Sequence, residues 1–256
     1  MIDPRAVVDD RALLADDVVI GPFSLIGPEV EIGPGCVIGS HVVIKGPTRI
    51  GRDNRIFQFA SVGDAPQDKK YAGENTRLEI GDRNTIREYA TINRGTVQDR
   101  GETRIGNDCL LMAYTHVAHD CVIGDQVIMS NAASLGGHVH IQDWAILSGF
   151  ALVHQFCHVG AHSFIGMNTA ITRDVPPYLL VAGNPAEPHG INSKGLARRG
   201  FSEEAQRALK QAYRLLYKSG LKLEQSRQAI AELAQNHSEL LCLSEFLQDN
   251  NRGIVR

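Results

Sequence analysis

The sequence predicts a mainly β protein: a parallel β-helix of hexapeptide repeats, followed by a C-terminal α-helical domain. Two observations carry this. Branched aliphatics recur at every sixth residue from Ile2 onward, and after Gly200 the apolar spacing becomes helical. Composition agrees, since 43% of the 256 residues are hydrophobic but only 6% aromatic, and 25 are glycine. Such a chain builds its core from small branched side chains and turns often.

The repeat runs through Ile2, Val8, Leu14, Ile20, Ile26, Ile32, Ile38, Ile44, Ile50, Ile56 and Val62. It resumes at Ile80, Ile86 and Ile92, shifts phase by one, and continues from Ile105 to Ile171 with Met129 as its one unbranched member. A period of six is neither the helical 3.6 nor the strand alternation of two. It is the signature of a β-helix whose hexads form the sides of a triangular coil, so that residues 18 apart stack. Glycine often follows the aliphatic, as at Gly21, Gly39, Gly124 and Gly136. We expect it at corners where a positive φ is cheap.

Two interruptions, near residues 64–77 and 94–103, are expected to be loops extruded from the prism, where binding residues concentrate. The repeat domain is assigned to residues 1–190 and the helical domain to 191–256. Residues 176–200, with Pro185, Pro188 and several glycines, read as irregular. Ser202 is a good N-cap followed by Glu203 and Glu204. Ala205, Ala208, Leu209, Ala212, Leu215 and Leu216 form the apolar stripe of that helix. Gly220 is expected as its C-cap. Further helices are expected around 223–235 and 238–249, capping the solenoid.

Charge excludes some classes. Lys and Arg total 26 against 29 Asp and Glu, a net of −3, so no global basic excess points to nucleic acid. No apolar run approaches the ~18 residues of a membrane helix. The start, Met1 to Arg5, lacks the features of a signal peptide. Five scattered cysteines without a CxxC pair suit reduced thiols. A cytoplasmic protein without a membrane span is expected. The last 66 residues nevertheless carry 11 basic and 7 acidic residues. Arg207, Lys210, Arg214 and Lys218 share the helix face opposite the apolar stripe, with Arg198 and Arg199 nearby. This face is either simply solvated or a dock for an acidic macromolecule.

Seven of ten histidines lie between 116 and 162. By position in the 18-residue coil, His116, His154, His119 and His138 bracket one corner of successive coils spaced ~4.8 Å apart. Asp120 shares the column of His138, while His140 and His158 share another. Three chemistries fit: a surface ladder, a three-histidine zinc site with one open position, and general base catalysis. The run His116-Val117-Ala118-His119-Asp120-Cys121 favours the base, because an adjacent carboxylate can fix an imidazole tautomer. Cys121 reads as a small packed thiol rather than a covalent nucleophile.

Thr115-His116-Val117-Ala118-His119-Asp120-Cys121, Gly136-Gly137-His138-Val139, Val153-His154-Gln155-Phe156-Cys157 and Gly183-Asn184-Pro185 on a hexapeptide solenoid resemble the UDP-N-acetylglucosamine O-acyltransferases of lipid A biosynthesis. The resemblance covers essentially the whole chain, including Gln67 to Gly73 and Asn192 to Arg199. It implies a left-handed parallel β-helix that assembles as a homotrimer. It also implies transfer of a 3-hydroxyacyl group from acyl carrier protein to the sugar 3-hydroxyl, without metal or other cofactor. On that resemblance His119 is the base, Asp120 its orienting carboxylate and Gly137 the oxyanion donor. His116, His138, His154 and Gln155 match substrate contacts, and Gln67, Asp68 and Lys70 match the nucleotide-sugar loop. Asn192 and Arg198 match contacts from the segment after the solenoid, where Lys194 replaces an acidic residue common in the family. Arg199, Arg207, Lys210, Arg214 and Lys218 would dock the carrier protein. Met167 matches the family's acyl-chain ruler. It lies about three coils beyond His119, ~14 Å at one interstrand spacing per coil, which suits a ten-carbon chain. The rivals are a zinc enzyme of the gamma carbonic anhydrase type, a coenzyme-A acetyltransferase, the later N-acyltransferase of the same pathway and a non-catalytic scaffold. With the repeat beginning at Ile2, we expect no preceding domain of the kind that N-acyltransferase carries.

Overall fold

The structure, a computed structural model, describes residues 1–248 and 253–256. Among these residues short strands, most of two residues, stack into three sheets of nine, eight and ten strands, parallel throughout except for one end strand of the third. The first sheet starts at Val7–Val8, the second at Leu13–Leu14 and the third at Val19–Ile20. Val7 pairs with Leu25 and Leu25 with Val43, the 18-residue step that the hexads predict. The coil is left-handed, against the right-handed preference of ordinary parallel crossovers. The sixth-residue aliphatics from Ile20 to Ile171 point inward and are buried, Met129 included. Each contributes about 1.5–3 kcal/mol by leaving water. Ile2 is exposed, and Val8 and Leu14 are half-buried, because their coil is covered on one side only.

A second, smaller inward slot precedes each aliphatic. Val42, Ala60, Val127 and Ala145 fill it, and so do Cys36, Cys109, Cys121 and Cys157. The thiols of Cys36, Cys109 and Cys121 donate to the carbonyls of Gly51, Gly124 and Gly136 at 3.0, 3.1 and 3.2 Å. These cysteines are therefore structural.

The expected reason for the glycines does not hold. Of those that follow the aliphatics, Gly63 alone has a positive φ, and the left-handed corner positions are taken by residues such as Tyr114, Asp120 and His138. The glycines are needed for close approach instead. A Cβ at Gly21 would lie 2.8 Å from the Gly39 carbonyl carbon, and one at Gly124 would lie 2.9 Å from the Asp143 nitrogen. The left-handed residues cost about 1–2 kcal/mol each, offset where their side chains stack from coil to coil.

The three corners differ in what stacks. Between the third and first sheets, Phe23, His41, Phe59, Tyr89 and Tyr114 form a column with centroid spacings of 5.1, 5.2, 5.0 and 4.8 Å. Between the second and third sheets, polar side chains cap the coil below. Asp82, Asn107, Asp125 and Asp143 accept the N–H of Arg52, Asp82, Asn107 and Asp125 at 2.7–2.9 Å. Between the first and second sheets lie His119, Asp120, His138 and Phe156.

Residues 176–200 are regular, contrary to expectation. The strand Leu179–Ala182 continues the third sheet, and Glu187–Ile191 pairs back onto it antiparallel. Among the described residues four α-helices follow: α1 (Ser193–Arg198), α2 (Glu203–Tyr217), α3 (Leu223–Ala234) and α4 (Leu241–Gln248), the last entered through a 3-10 turn at Ser238–Leu240. Ser202 Oγ caps α2 by accepting from Ala205 N–H at 3.1 Å. The C-cap of α2 is Lys218 rather than Gly220, which turns the chain two residues later at φ +72°. Residue 249, expected to close the last helix, lies outside the described residues. The helices pack Leu196, Leu209, Leu216, Ile230, Leu243 and Leu247 into a second core that also takes in Tyr178. The two cores thus meet upstream of residue 191.

Candidate active site

Both interruptions of the repeat leave the prism at the same corner. Residues 65–76 connect the strand Ser61–Asp64 to Arg77–Ile80, and residues 94–101 connect Thr91–Asn93 to Glu102–Ile105. Each steps from the first sheet to the second, in the coils below His119. With that corner they enclose a half-open cleft of about 850 Å³. Arg94 holds the first excursion. Its Nη1 donates to the carbonyls of Gly46 and Gly63 at 3.2 and 2.9 Å, and its Nε and Nη2 donate to Tyr71 Oη at 3.2 and 3.0 Å.

His119 Nδ1 lies 2.8 Å from Asp120 Oδ2. The Asp120 side chain is fully buried. Its Oδ1 accepts the Thr96 N–H at 2.8 Å and its Oδ2 the Thr96 hydroxyl at 2.6 Å. Burial pushes the Asp120 carboxyl up, but the hydrogen bonds from His119 and Thr96 outweigh it and hold the group below the usual range. An ionised carboxylate only accepts. The proton between the pair therefore sits on His119 Nδ1, and Nε2 remains as the basic nitrogen.

Gly137 is buried beside this ring. A Cβ there would stand 2.6 Å from His119 Cε1 and 2.8 Å from Nε2, so only glycine lets the imidazole lie against the backbone. Among the described residues the Gly137 N–H has no acceptor, which leaves a fixed donor next to Nε2. His138 meets His119 edge to face at 5.1 Å and stacks on Phe156 at 4.3 Å. Its Nδ1 is 3.0 Å from Asp99 Oδ2.

The cleft brings Gln67, Asp68 and Lys70 together with His119, His138 and Gln155. His116 stands outside it, its Nδ1 2.7 Å from Thr91 Oγ1, and burial followed by the field of His119 pushes its pKa down. His154 is exposed and lines an apolar groove of about 320 Å³ with Leu152, Val153, Ala170 and Ile171. Met167, 73% exposed, stands at the aromatic corner just ahead of the strand Ala170–Ile171.

Other expected residues lie on another edge of the same chain. Asn192 is buried, accepts from Gly195 N–H to cap α1 and donates to the His162 carbonyl at 3.0 Å. Arg199 is tied down, donating to the Trp144 carbonyl at 2.8 Å and reaching His162 Nδ1 at 3.2 Å. It is thus set apart from the exposed row of Arg207, Lys210, Arg214 and Lys218. Arg198 and Lys194 are exposed on α1.

Thr96, Gln98, Asp99, Lys69 and Phe156 also line the cleft and were not expected from the sequence. Phe156 had a signal, since it falls 18 residues after His138. Thr96 and Asp99 belong to an excursion without periodicity, so no spacing argument reaches them.

His119, Asp120 and His138 offer ligand atoms within 4.8 Å of one another. The Asp120 oxygens are already engaged by His119 and Thr96, while His116 and His154 turn to Thr91 and the Gln155 carbonyl. The three-histidine zinc set that spacing allowed is not assembled among the described residues. Cys121 is buried, and desolvation pushes its thiol up to about 12, which removes it as a nucleophile. No helix among the described residues is long and apolar enough to cross a membrane.

Comparison with known proteins places this geometry. A profile described as UDP N-acetylglucosamine O-acyltransferase, domain 2, matches residues 174–255, and a bacterial transferase hexapeptide profile matches 11–46 and 102–137. The acyl-[acyl-carrier-protein]–UDP-N-acetylglucosamine O-acyltransferase of Thiobacillus denitrificans is 56% identical over 203 residues, 79% of either chain. That of Stutzerimonas stutzeri is 58% identical over 212 residues, 83% of this chain and 82% of its own. Among solved structures, the UDP-N-acetylglucosamine O-acyltransferase of Moraxella catarrhalis superposes with a TM-score of 0.98 at 45% identity, over 100% of this chain and 99% of that one. The Arabidopsis UDP-N-acetylglucosamine acyltransferase superposes with a TM-score of 0.86 at 34% identity, over all of both chains. The chain belongs to the UDP-N-acetylglucosamine O-acyltransferase family.

Proposed function

We propose that the chain transfers an (R)-3-hydroxyacyl group from acyl carrier protein to the 3-hydroxyl of UDP-N-acetylglucosamine, the first step of lipid A biosynthesis, with His119 as general base. The observation that carries this is the His119–Asp120 pair at 2.8 Å beside the open Gly137 N–H. A sugar hydroxyl is a poor nucleophile at neutral pH. His119 Nε2 takes its proton as the oxygen attacks the thioester carbonyl. The carbonyl oxygen gains charge and is met by the Gly137 N–H. The C–S bond then breaks, and the proton held by His119 goes to the departing thiolate. Each step uses only the chain's own groups and the two substrates. Gln67, Asp68 and Lys70, on the excursion that Arg94 locks, hold the nucleotide sugar.

The same reading requires a second copy. His119 and the Asn192–Arg198 segment stand on different edges of one prism, so one chain cannot bring them together. The aromatic corner supplies an apolar seam for a homotrimer, with Tyr114 59% and Phe150 60% exposed. With those corners at the axis, the first sheet of one copy faces the third sheet of the next. The apolar groove at His154 then leads toward Met167, which stops a ten-carbon acyl chain. The row from Arg207 to Lys218 docks the acidic carrier protein. Four buried free thiols suit a reducing cytoplasm.

An acyl-transfer assay with UDP-N-acetylglucosamine and a panel of 3-hydroxyacyl carrier proteins tests the reading. Turnover with the ten-carbon donor, undiminished by a chelator, is expected. No transfer to the sugar with any donor sinks it, and chelator-sensitive turnover removes the metal-free mechanism.

A further inference from the structure

We infer that Thr96, on the second excursion, is a positioning residue that orients the Asp120 carboxylate and thereby selects the tautomer of His119. The inference rests on His119 being the base. Thr96 is 1% exposed, and it gives Asp120 two bonds, its N–H to Oδ1 at 2.8 Å and its hydroxyl to Oδ2 at 2.6 Å. One residue thus grips both carboxylate oxygens and fixes the plane of the group. Oδ2 is shared with His119 Nδ1 at 2.8 Å, so the hydroxyl sits on the oxygen that orients the base. Asp120 itself occupies a left-handed corner position at φ 59°, and its N–H donates to Thr103 Oγ1 at 2.8 Å. Besides His119, the corner's own described residues bring only His138 Nε2 near the carboxylate, at 3.8 Å from Oδ2 and beyond hydrogen-bond reach.

The excursion that carries Thr96 also reaches the neighbouring coil, where Asp99 Oδ2 lies 3.0 Å from His138 Nδ1. One break in the repeat therefore anchors both imidazoles that meet at 5.1 Å. A hexad in place of residues 94–101 would continue the prism but remove both Thr96 bonds and leave Oδ1 without a donor. Such a carboxylate is costly to bury and is driven toward protonation. The excursion is thus part of the catalytic apparatus as well as a wall of the cleft.

The titratable groups facing His119 are Asp120, His138 and His116, with Asp99 acting through His138, and Asp68, Lys69 and Lys70 lining the cleft. Thr96→Val removes the hydroxyl and alters none of these groups directly. The hydroxyl proton draws charge from Oδ2, so without it the carboxylate holds the imidazolium proton more strongly. The acidic limb of the kcat/KM profile should move up by about 0.5–1 pH unit. Loss of alignment should lower kcat by about 10- to 100-fold, with KM for the nucleotide sugar unchanged. Thr96→Ser keeps both bonds and should restore kcat and the limb. Thr96→Ala, which introduces no new bulk beside the carboxylate, serves if the valine variant does not fold. Val or Ala variants with wild-type kcat and an unmoved limb overturn the inference, as does a Ser variant as impaired as they are. His119→Ala, assayed alongside, separates the two readings. Retained turnover in His119→Ala defeats the base reading itself. Lost turnover there, with unaffected Thr96 variants, defeats only the positioning role.

Discussion

Two corners of the prism share one backbone and do different work. At the histidine corner, Asp120 and His138 take left-handed conformations one coil apart, and at the aspartate corner Gln126, Trp144 and His162 do the same. The backbone bond between coils recurs too, His138 N–H to the His119 carbonyl at 3.0 Å and Trp144 N–H to the Asp125 carbonyl at 2.9 Å. At the aspartate corner the polar side chains are consumed by backbone N–H groups of the adjoining coil. At the histidine corner the Asp120 carboxylate is met by an imidazole and by a threonine from outside the repeat. A repetitive scaffold becomes a site where its side chains are left unspent and an excursion supplies what the repeat lacks.

The sharpest way to break this comparison is to remove one histidine from the histidine corner and one from the adjoining sheet. His119→Ala should lower kcat by about 10²- to 10⁴-fold, the usual share of a general base. His158→Gln, on the second sheet, where it stacks with His140 at 4.5 Å, should leave kcat within about twofold. Comparable losses would mean that the corner has no special role. Glycines give a matched pair. Gly137→Ala must push the His119 ring aside and should lower kcat about 100-fold. At Gly149, on the aromatic corner, an added Cβ meets nothing nearer than the Asn131 carbonyl at 3.5 Å, so thermal stability of Gly149→Ala should barely change.

Smaller effects sharpen the comparison. Met167→Gly should lengthen the acyl groove. At about 0.8 kcal/mol per methylene buried, two more methylenes shift preference roughly tenfold toward longer donors. A competition between ten- and fourteen-carbon donors reads this, and an unchanged product ratio removes Met167 from the ruler. Raising salt should raise KM for the carrier protein several-fold more than KM for the nucleotide sugar, because exposed charges such as Arg207 and Lys210 are screened over about 8 Å. Equal sensitivity would argue against docking on α2. The smallest effect is on stability. Burial, then the charge of a neighbour, pushes His140 and His162 down to about 4. Their folded values lie below the unfolded one, so the unfolded chain binds more protons between about pH 6.5 and 4, and stability falls as pH falls through that window. His140→Gln should flatten the slope in denaturant titrations. A slope identical to wild type would assign the acid sensitivity elsewhere.

The period of six determined the solenoid, its core and the 18-residue stacking that puts His119 beside His138, because each is a consequence of spacing along a regular coil. The Ser202 cap and the stripe of α2 were equally local and equally legible. Residues 176–200 were not legible as strand, because their prolines and glycines mask an element whose partners lie elsewhere in the sequence, with Leu180 beside Phe164 and Gly190. The role of the glycines was hidden for the same reason, since close approach between coils is a tertiary fact. Tertiary structure alone decided that both excursions open at one corner, that Thr96 grips Asp120, and that Asn192 and Arg199 are held at another edge. Those placements depend on where an aperiodic loop folds back, and no periodicity in the chain encodes that path.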